Sequence, residues 1–393
     1  MYKGKLVFAQ LTEHLPRAEF LKIASRRAGK YPSLSFSDWD QFLCMMFAQL
    51  TSRASLRDIT LCLNSYSSKL YHAGFRGPIA RSTLADANER RDCRTFEEFA
   101  LLLIALARPL YASESLAHDL GQTVYAIDSS TIDLCLSLFA WAPAANARAG
   151  IKLHTMLDLR GNIPTFILIT GSLVHDATFL DHLHLEAGSF YVMDRAYTHF
   201  ARLLKFTHAA AFFVVRPRGN LQYVPVLALA ADWRFGVVRD EHIVLNGRHT
   251  QHAYPMVLRR IEFHDFQQDR LIVFLTNSFA LNALQIARLY KSRWQVELFF
   301  KWIKQNLRIK AFVGHSANAV KTQIWVALSS YLLVAIIKKR LHIQASLHAM
   351  LQVLSLNLFE LTPLTELLNQ PDDNDKPERS EPQISLFQEI SGQ

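Results

Sequence analysis

From residue 4 to about 115, apolar residues recur at three- and four-residue intervals with few β-branched runs and no strict alternation, a pattern that predicts helices. Ser37, followed by Asp38 and Asp40 ahead of FLCMMFAQL, marks a helix start. The segments SLRDITLCLNSY (55–66) and STLADANERRD (82–92) flank a Gly-containing stretch and suit a helix-turn-helix-like pair, with Ser82 and Thr83 as candidate N-caps of the second.

Near residue 122 the period changes. The runs TVYAID (123–128), IKLHTMLDL (151–159), PTFILIT (164–170) and SFYVMD (189–194) read as strands, while ATFLDHLHLEA (177–187) and YTHFARLLKFTHA (197–209) read as helices, giving a mixed α/β domain. Further strand-like runs extend from AFFVVRP (211–217) to LIVFLTN (271–277), and Asn246-Gly247 within them is a candidate hairpin turn. Helical periodicity then returns until about 367. The polar, acidic, Pro-containing stretch from Pro371 is expected to be disordered. No internal repeat is evident.

Half of the 393 residues are hydrophobic and 20% are charged, as in globular proteins. The formal charge of +9 is unevenly spread: residues 371–393 carry −4, so the rest carries +13. A body this basic attracts nucleic acids or anionic membrane surfaces. Arg81, Arg90 and Arg91 would suit a helix laid against DNA, although an ordinary surface helix fits the same segment equally well. The longest apolar run, Thr322 to Ile337, contains Gln323, Ser329 and Ser330 and is shorter than the roughly 20 residues a membrane span needs, so it predicts a buried helix. The N-terminal sequence lacks a secretory apolar region, and a cytoplasmic, nucleoid-associated protein is expected, with no membrane partner. Cys44, Cys62, Cys93 and Cys135 form no metal-binding spacing and are expected to be reduced core thiols; the 16 histidines include no HExxH pair.

Two strand-like runs lead into an aspartate: VYAI into Asp128 and FYVM into Asp194. An acid at the C-terminal end of a buried strand faces the crevice where open α/β sheets bind ligands, though helix capping is also common there. A third feature lies in IARLYKSRWQVELFFKWIKQNLRIK (286–310), where seven bases surround the single acid Glu297. On a helix of 3.6 residues per turn, Tyr290, Arg293, Glu297, Lys301, Lys304 and Arg308 share one arc of roughly 80°. Trp294, Val296, Leu298, Phe299, Phe300, Trp302, Ile303 and Leu307 fill the other directions. A mostly buried helix that shows one basic line with one carboxylate predicts an active-site wall facing phosphate. The plain alternative is that Glu297 forms solvated i,i+4 pairs with Arg293 and Lys301, which would leave the aromatic burden unexplained.

The spacing of Tyr290, Arg293, Glu297 and Lys304 resembles the Y-R-E-K signature of the IS-four family of insertion-sequence transposases, within the DDE group. AIDSSTIDL around Asp128 and VMDRAY around Asp194 resemble the family's two aspartate segments, the second with Ala196 where Gly is usual; RSTLADANERRD resembles a segment ahead of the catalytic domain. The likeness runs to about residue 340. It implies an RNase H-like catalytic domain over 116–345 with a β-rich insertion at about 211–280 that holds transposon-end DNA. An all-helical DNA-binding domain (1–115) precedes it, and a helical segment (346–370) and the acidic tail (371–393) follow. It implies that Asp128, Asp194 and Glu297 are catalytic ligands of two divalent ions, Mg²⁺ or Mn²⁺, the oxygen-preferring cations suited to phosphodiester chemistry. Tyr290, Arg293 and Lys304 are assigned to DNA phosphate, with Lys301, Arg308 and Arg195 as further contacts. Cut-and-paste transposition by a homodimer on double-stranded DNA is the implied activity, a hairpin route being usual in the family.

Lys152 and His154 alternate on one strand, with a structural role favoured over a catalytic one. His175-Asp176 reads as a helix cap rather than a general base. Trp233 could stack on an extruded base, with core packing the plainer reading. Two rival functions remain at this level: an RNase H-like nuclease without strand transfer, and a DNA-binding protein without catalysis.

Overall fold

The computed structural model describes residues 4–27, 35–114, 121–135, 137–139, 141–142, 144–145, 148–307, 309 and 312–369. The expected acidic tail, and Arg308, therefore lie outside the described residues.

Up to Glu114 the described residues form helices and turns only, as the apolar spacing predicts. Ser37 caps the helix Asp38–Leu50 in a reciprocal capping box with Asp40, which satisfies two otherwise unpaired backbone donors. Helices Leu56–Ser65 and Arg81–Arg90 pack on one another. The second starts after Ala80, not at Ser82 or Thr83, which lie inside its first turn. Arg91 also departs from the DNA-facing reading: its guanidinium donates to Phe36 O and, at 2.7 Å, to Ser37 O, so it ties two helices together.

A ten-stranded sheet follows among the described residues, in the order β2-β3-β1-β5-β6-β10-β9-β8-β7, with β4 on β3. Its strands are β1 (Val124–Leu134), β2 (Ala144–Ala145), β3 (Arg148–Asp158), β4 (Ile163–Gly171), β5 (Phe190–Met193), β6 (Phe212–Val215), β7 (Tyr223–Ala228), β8 (Val237–Leu245), β9 (Leu258–Asp265) and β10 (Arg270–Thr276). The β1/β5 and β5/β6 ladders are parallel and every other pairing is antiparallel. Parallel neighbours need a crossover, and the helix Phe200–His208 supplies the one between β5 and β6. The stretch expected as a β-rich insertion supplies β6 to β10 and continues the same sheet.

Strand alternation divides the apolar side chains between two faces. Val124, Ala126, Phe190 and Val192 join the core shared with the N-terminal and C-terminal helices. Tyr125, Ile127, Tyr191 and Met193 join a smaller core under Phe179, Phe206 and Tyr254. The larger core is built around the helix Ala317–Arg340, in which every residue from Thr322 to Ile337 is buried. It is long and apolar enough to cross a membrane, yet 94% of its apolar window is buried inside the protein. Being apolar all round, it must be enclosed by other elements, here Arg94–Leu110 and Asp38–Leu50.

Several local expectations change in the folded chain. Asn246-Gly247 does not turn a hairpin: Gly247 precedes the short helix Arg248–Ala253, and the chain then enters β9. The helix expected over 177–187 is a 3₁₀ segment, Asp176–His182, and the one over 197–209 spans Phe200–His208. Cys44 is buried, but Cys135 is exposed rather than part of the core. Trp233 is 73% exposed, so it does not pack in the core.

Candidate active site

Asp194 follows β5 directly, but Asp128 does not end its strand. β1 runs on to Leu134, and what ends beside Asp128 is the parallel ladder with β5, whose last pair is Ile127 with Met193. The two aspartates therefore occupy equivalent steps on adjacent parallel strands. Each continues the period-two series facing the larger core, so both face the side of the sheet that carries the helix of Glu297.

The expected single helix over 286–310 is two helices, Ala283–Ser292 and Trp294–Asn306, that meet at Arg293. Val296, Phe299, Phe300 and Ile303 are buried in the larger core, which holds the second helix against β1. Arg293 at the junction reaches both acids: Nη1 donates to Asp128 Oδ2 at 3.1 Å and Nη2 to Glu297 Oε1 at 2.5 Å. The side chains of Arg293, Asp128 and Glu297 are 15%, 20% and 31% exposed, so the Arg293–Glu297 pair is not the solvated surface pair of the plain alternative. Tyr290 Oη donates to Asp194 Oδ1 at 3.5 Å, linking the third acid to the same helix pair. Lys304 Nζ donates to Thr131 O at 2.9 Å and pins the helix to the far part of β1. Lys301 and Arg195 are exposed.

The electrostatics follow from crowding acids in a partly dry site. Burial pushes the Asp128 carboxyl up to about 6; Arg293 and the Ser129 N–H pull it down, and Glu297 and Asp194 push it up again. Burial alone would lower Arg293, but Tyr290, Asp128 and Glu297 around it hold it firmly protonated. Burial likewise raises the Tyr290 phenol, with Asp194 adding to the effect. Two buried polar atoms beside Asp128 lack a hydrogen-bond partner: Thr155 Oγ1 and Arg293 Nε. Thr155 is the β3 residue directly opposite Asp128.

Sequence reasoning missed Ser129 and Tyr197 and read Asp176 only as part of a cap. His175 is indeed the cap, its Nδ1 accepting from Ala177 N at 3.1 Å. Asp176 instead accepts from Ser129 Oγ at 2.7 Å and from Lys152 Nζ at 3.0 Å. Tyr197 lay in plain view in VMDRAY, three residues after Asp194, with no spacing rule to single it out. Beyond Asp194 a cavity of about 550 Å³ opens, lined by Thr198, His199, Arg218, Arg248 and His249 among others and by no acid.

The chain is similar to several known proteins. The family described as "Transposase DDE domain" matches residues 119–333, which include all three acids, and a domain family of unknown function matches residues 3–76. A transposase of Sinorhizobium fredii is 32% identical over 310 residues, covering 78% of this chain and 84% of the relative. A transposase for an insertion sequence element of Geobacillus stearothermophilus is 31% identical over 209 residues, 53% of this chain and 54% of the relative. A cryo-EM structure of the piggyBac transposase synaptic complex with hairpin DNA aligns over 98% of this chain and 83% of that one, with a TM-score of 0.45 and 10% identity. With a mixed α/β sheet that is RNase H-like and a domain match over more than half its length, the chain belongs to the DDE transposase family.

Proposed function

We propose that the chain cuts DNA at the ends of a mobile element and joins the freed ends to target DNA by a cut-and-paste route, with Asp128, Asp194 and Glu297 holding two divalent ions, Mg²⁺ or Mn²⁺. The observation that carries this reading is the single guanidinium of Arg293 lying between Asp128 and Glu297, on the sheet face that Asp194 shares. Asp128 and Glu297 flank one guanidinium in a partly dry site with Asp194 on the same sheet face, and Arg293 supplies only one unit of positive charge. Carboxylate oxygens are the donors that hard divalent cations prefer. The raised Asp128 carboxyl and the unpartnered Thr155 hydroxyl fit a site that takes up further polar and cationic groups.

Among the described residues no three His, Cys, Asp or Glu side chains are grouped as a metal site. Loading such ions would require Arg293 to leave the carboxylates it bridges, and a DNA phosphate is its natural next partner. Bound ions of this kind activate a water and stabilise the leaving oxygen of a phosphodiester. The chain's own part is to hold the three acids on rigid elements and to place Tyr290, Arg293 and Lys304 beside the phosphates. The acid-free cavity past Asp194, with Arg218 and Arg248, supports a path for the DNA backbone on that side. Relatives named as transposases support DNA as the substrate; a homodimer bridging two ends in the cytoplasm, on the nucleoid, completes the proposal.

Alanine at Asp128, Asp194 or Glu297 should abolish Mn²⁺-dependent nicking of an end-bearing duplex while end binding stays within a few-fold of the parent. Persistent nicking by any one of these purified variants removes that residue from the ligand set. Joining of pre-cut ends to a target plasmid separates a transposase from a plain nuclease, which gives no joined product.

A further inference from the structure

Behind β1, on the face away from Glu297, lies a second polar cluster. Past Ile127 the strand loses β5 as a neighbour and pairs only with β3, so Asp128 stands where lateral support on one edge has just ended. At the next residue the support is replaced. Ser129 Oγ donates to Asp176 Oδ1 at 2.7 Å, and its backbone N–H donates to Asp128 Oδ1 at 2.8 Å. One residue thus joins two carboxylates, the front one through its backbone and the rear one through its hydroxyl.

The rear carboxylate is itself tightly held. Lys152 Nζ donates to Asp176 Oδ1 at 3.0 Å and to Val174 O at 2.8 Å, fixing the ammonium to the turn that carries Asp176. His154 is fully buried, stacked on Phe179, with Nε2 at 2.9 Å from Thr170 Oγ1 and Nδ1 at 3.9 Å from Asp176 Oδ1. The hydrogen bonds from Ser129 and Lys152 outweigh burial and keep the Asp176 carboxyl below its ordinary range. It accepts from the Ser129 hydroxyl and the Lys152 ammonium on the same oxygen.

We infer that Asp176 is a positioning residue for Asp128, acting through the Ser129 hydroxyl, with Lys152 as the countercharge that keeps it in place. A Ser side chain locked onto a fixed anion also locks the peptide plane whose N–H meets Asp128. Tyr197, three residues beyond Asp194, is buried, and its phenol is pushed up first by that burial and then by the charges of Asp128, Asp176 and Asp194. A mere staple of the 173–176 turn would not need a hydroxyl link to the residue beside a catalytic acid.

This inference rests on the reading of Asp128 as a metal ligand, and full-length S129A, S129T, D176N and D128A test both. Mn²⁺ affinity by calorimetry, single-turnover nicking, end binding and thermal unfolding are measured for each. S129A and D176N should each weaken Mn²⁺ binding and slow nicking by about 10- to 100-fold, leaving end binding unchanged, and S129T should recover most of both. Parent-like metal binding and nicking in S129A overturns the inference, as does an S129T as impaired as S129A; because S129A removes one oxygen only, it decides the matter even if D176N fails to fold. If D128A nicks and binds Mn²⁺ like the parent, the metal reading fails and takes the inference with it; an inactive D128A beside an unaffected S129A sinks the inference alone.

Discussion

The guanidinium of Arg293 sits between Asp128 and Glu297, donating to one at 3.1 Å and to the other at 2.5 Å. It stands at the junction of two helices, so its backbone is held by both. If divalent ions bind at these carboxylates as proposed, Arg293 and the ions compete for the same oxygens. R293A should therefore bind Mn²⁺ at least as tightly as the parent. It should also nick DNA more slowly, by about 100-fold for the loss of a charge-assisted phosphate contact of roughly 2–3 kcal/mol. Without metal, R293A should melt earlier than the parent, and Mn²⁺ should restore more of its stability than it adds to the parent. Weaker Mn²⁺ binding by R293A in calorimetry would show that the arginine organises the acids rather than competing for them.

His154 gives the fold an acid-sensitive element. Burial lowers its pKa from 6.5 to about 4, with Lys152 adding to this and Asp176 opposing it. A histidine kept neutral in the folded state contributes stability that is complete above its unfolded pKa and is lost as pH falls through the folded one. The window is thus about pH 6.5 down to 4, and the full contribution is on the order of 3 kcal/mol at 1.36 kcal/mol per unit. Urea unfolding of the parent should show a steeper fall of stability across that window than H154Q. Equal slopes would mean that the ring is solvated or already paired with Asp176 as an imidazolium.

Much of this site was legible in the sequence because its acids lie on elements with strong periodic signals. Asp194 is preceded by a wholly apolar strand, and Glu297 stands in a charged line on an otherwise apolar helix. Strand alternation and burial place Asp128 and Asp194 on the sheet face that carries the Glu297 helix. Other features depend on contacts between distant residues. Ser129 meets Asp176 across 47 positions, and no local pattern distinguishes that aspartate from a cap. Arg293 reads as a phosphate ligand from its helical arc because the chain alone does not reveal that Asp128 comes within 3.1 Å of it. The expected turn at Asn246-Gly247 failed for a similar reason. Gly247 has an ordinary extended backbone with φ −68°, and a Cβ there would come within 2.7 Å of Thr250 Oγ1, so the glycine serves close packing at a helix start.

Lys304 separates two roles by salt dependence. Its ammonium donates to Thr131 O, which fastens the Glu297 helix to β1, and it lies in the arc assigned to phosphate. If it also contacts DNA, K304A should weaken end binding and reduce the slope of log K against log salt by about 1. Fluorescence anisotropy across a salt series reads both. A lowered melting temperature with an unchanged salt slope would confine Lys304 to the structural tie.

Trp233 offers the clearest separation of stability from binding. It lies in the short 3₁₀ turn Trp233–Phe235 between β7 and β8, with 73% of its surface exposed and Phe235 61% exposed beside it. A core tryptophan truncated to alanine costs about 3–5 kcal/mol, whereas one this exposed should cost within about 0.5 kcal/mol. W233A should therefore melt with the parent. If the indole stacks on a base at the transposon end, the same variant should lose about 1–3 kcal/mol of end binding, roughly 5- to 150-fold, with little change in salt slope, because stacking releases no counterions. W233F should retain a good part of that affinity, since the stacking surface persists. An end affinity equal to the parent's in W233A would remove the indole from the DNA interface.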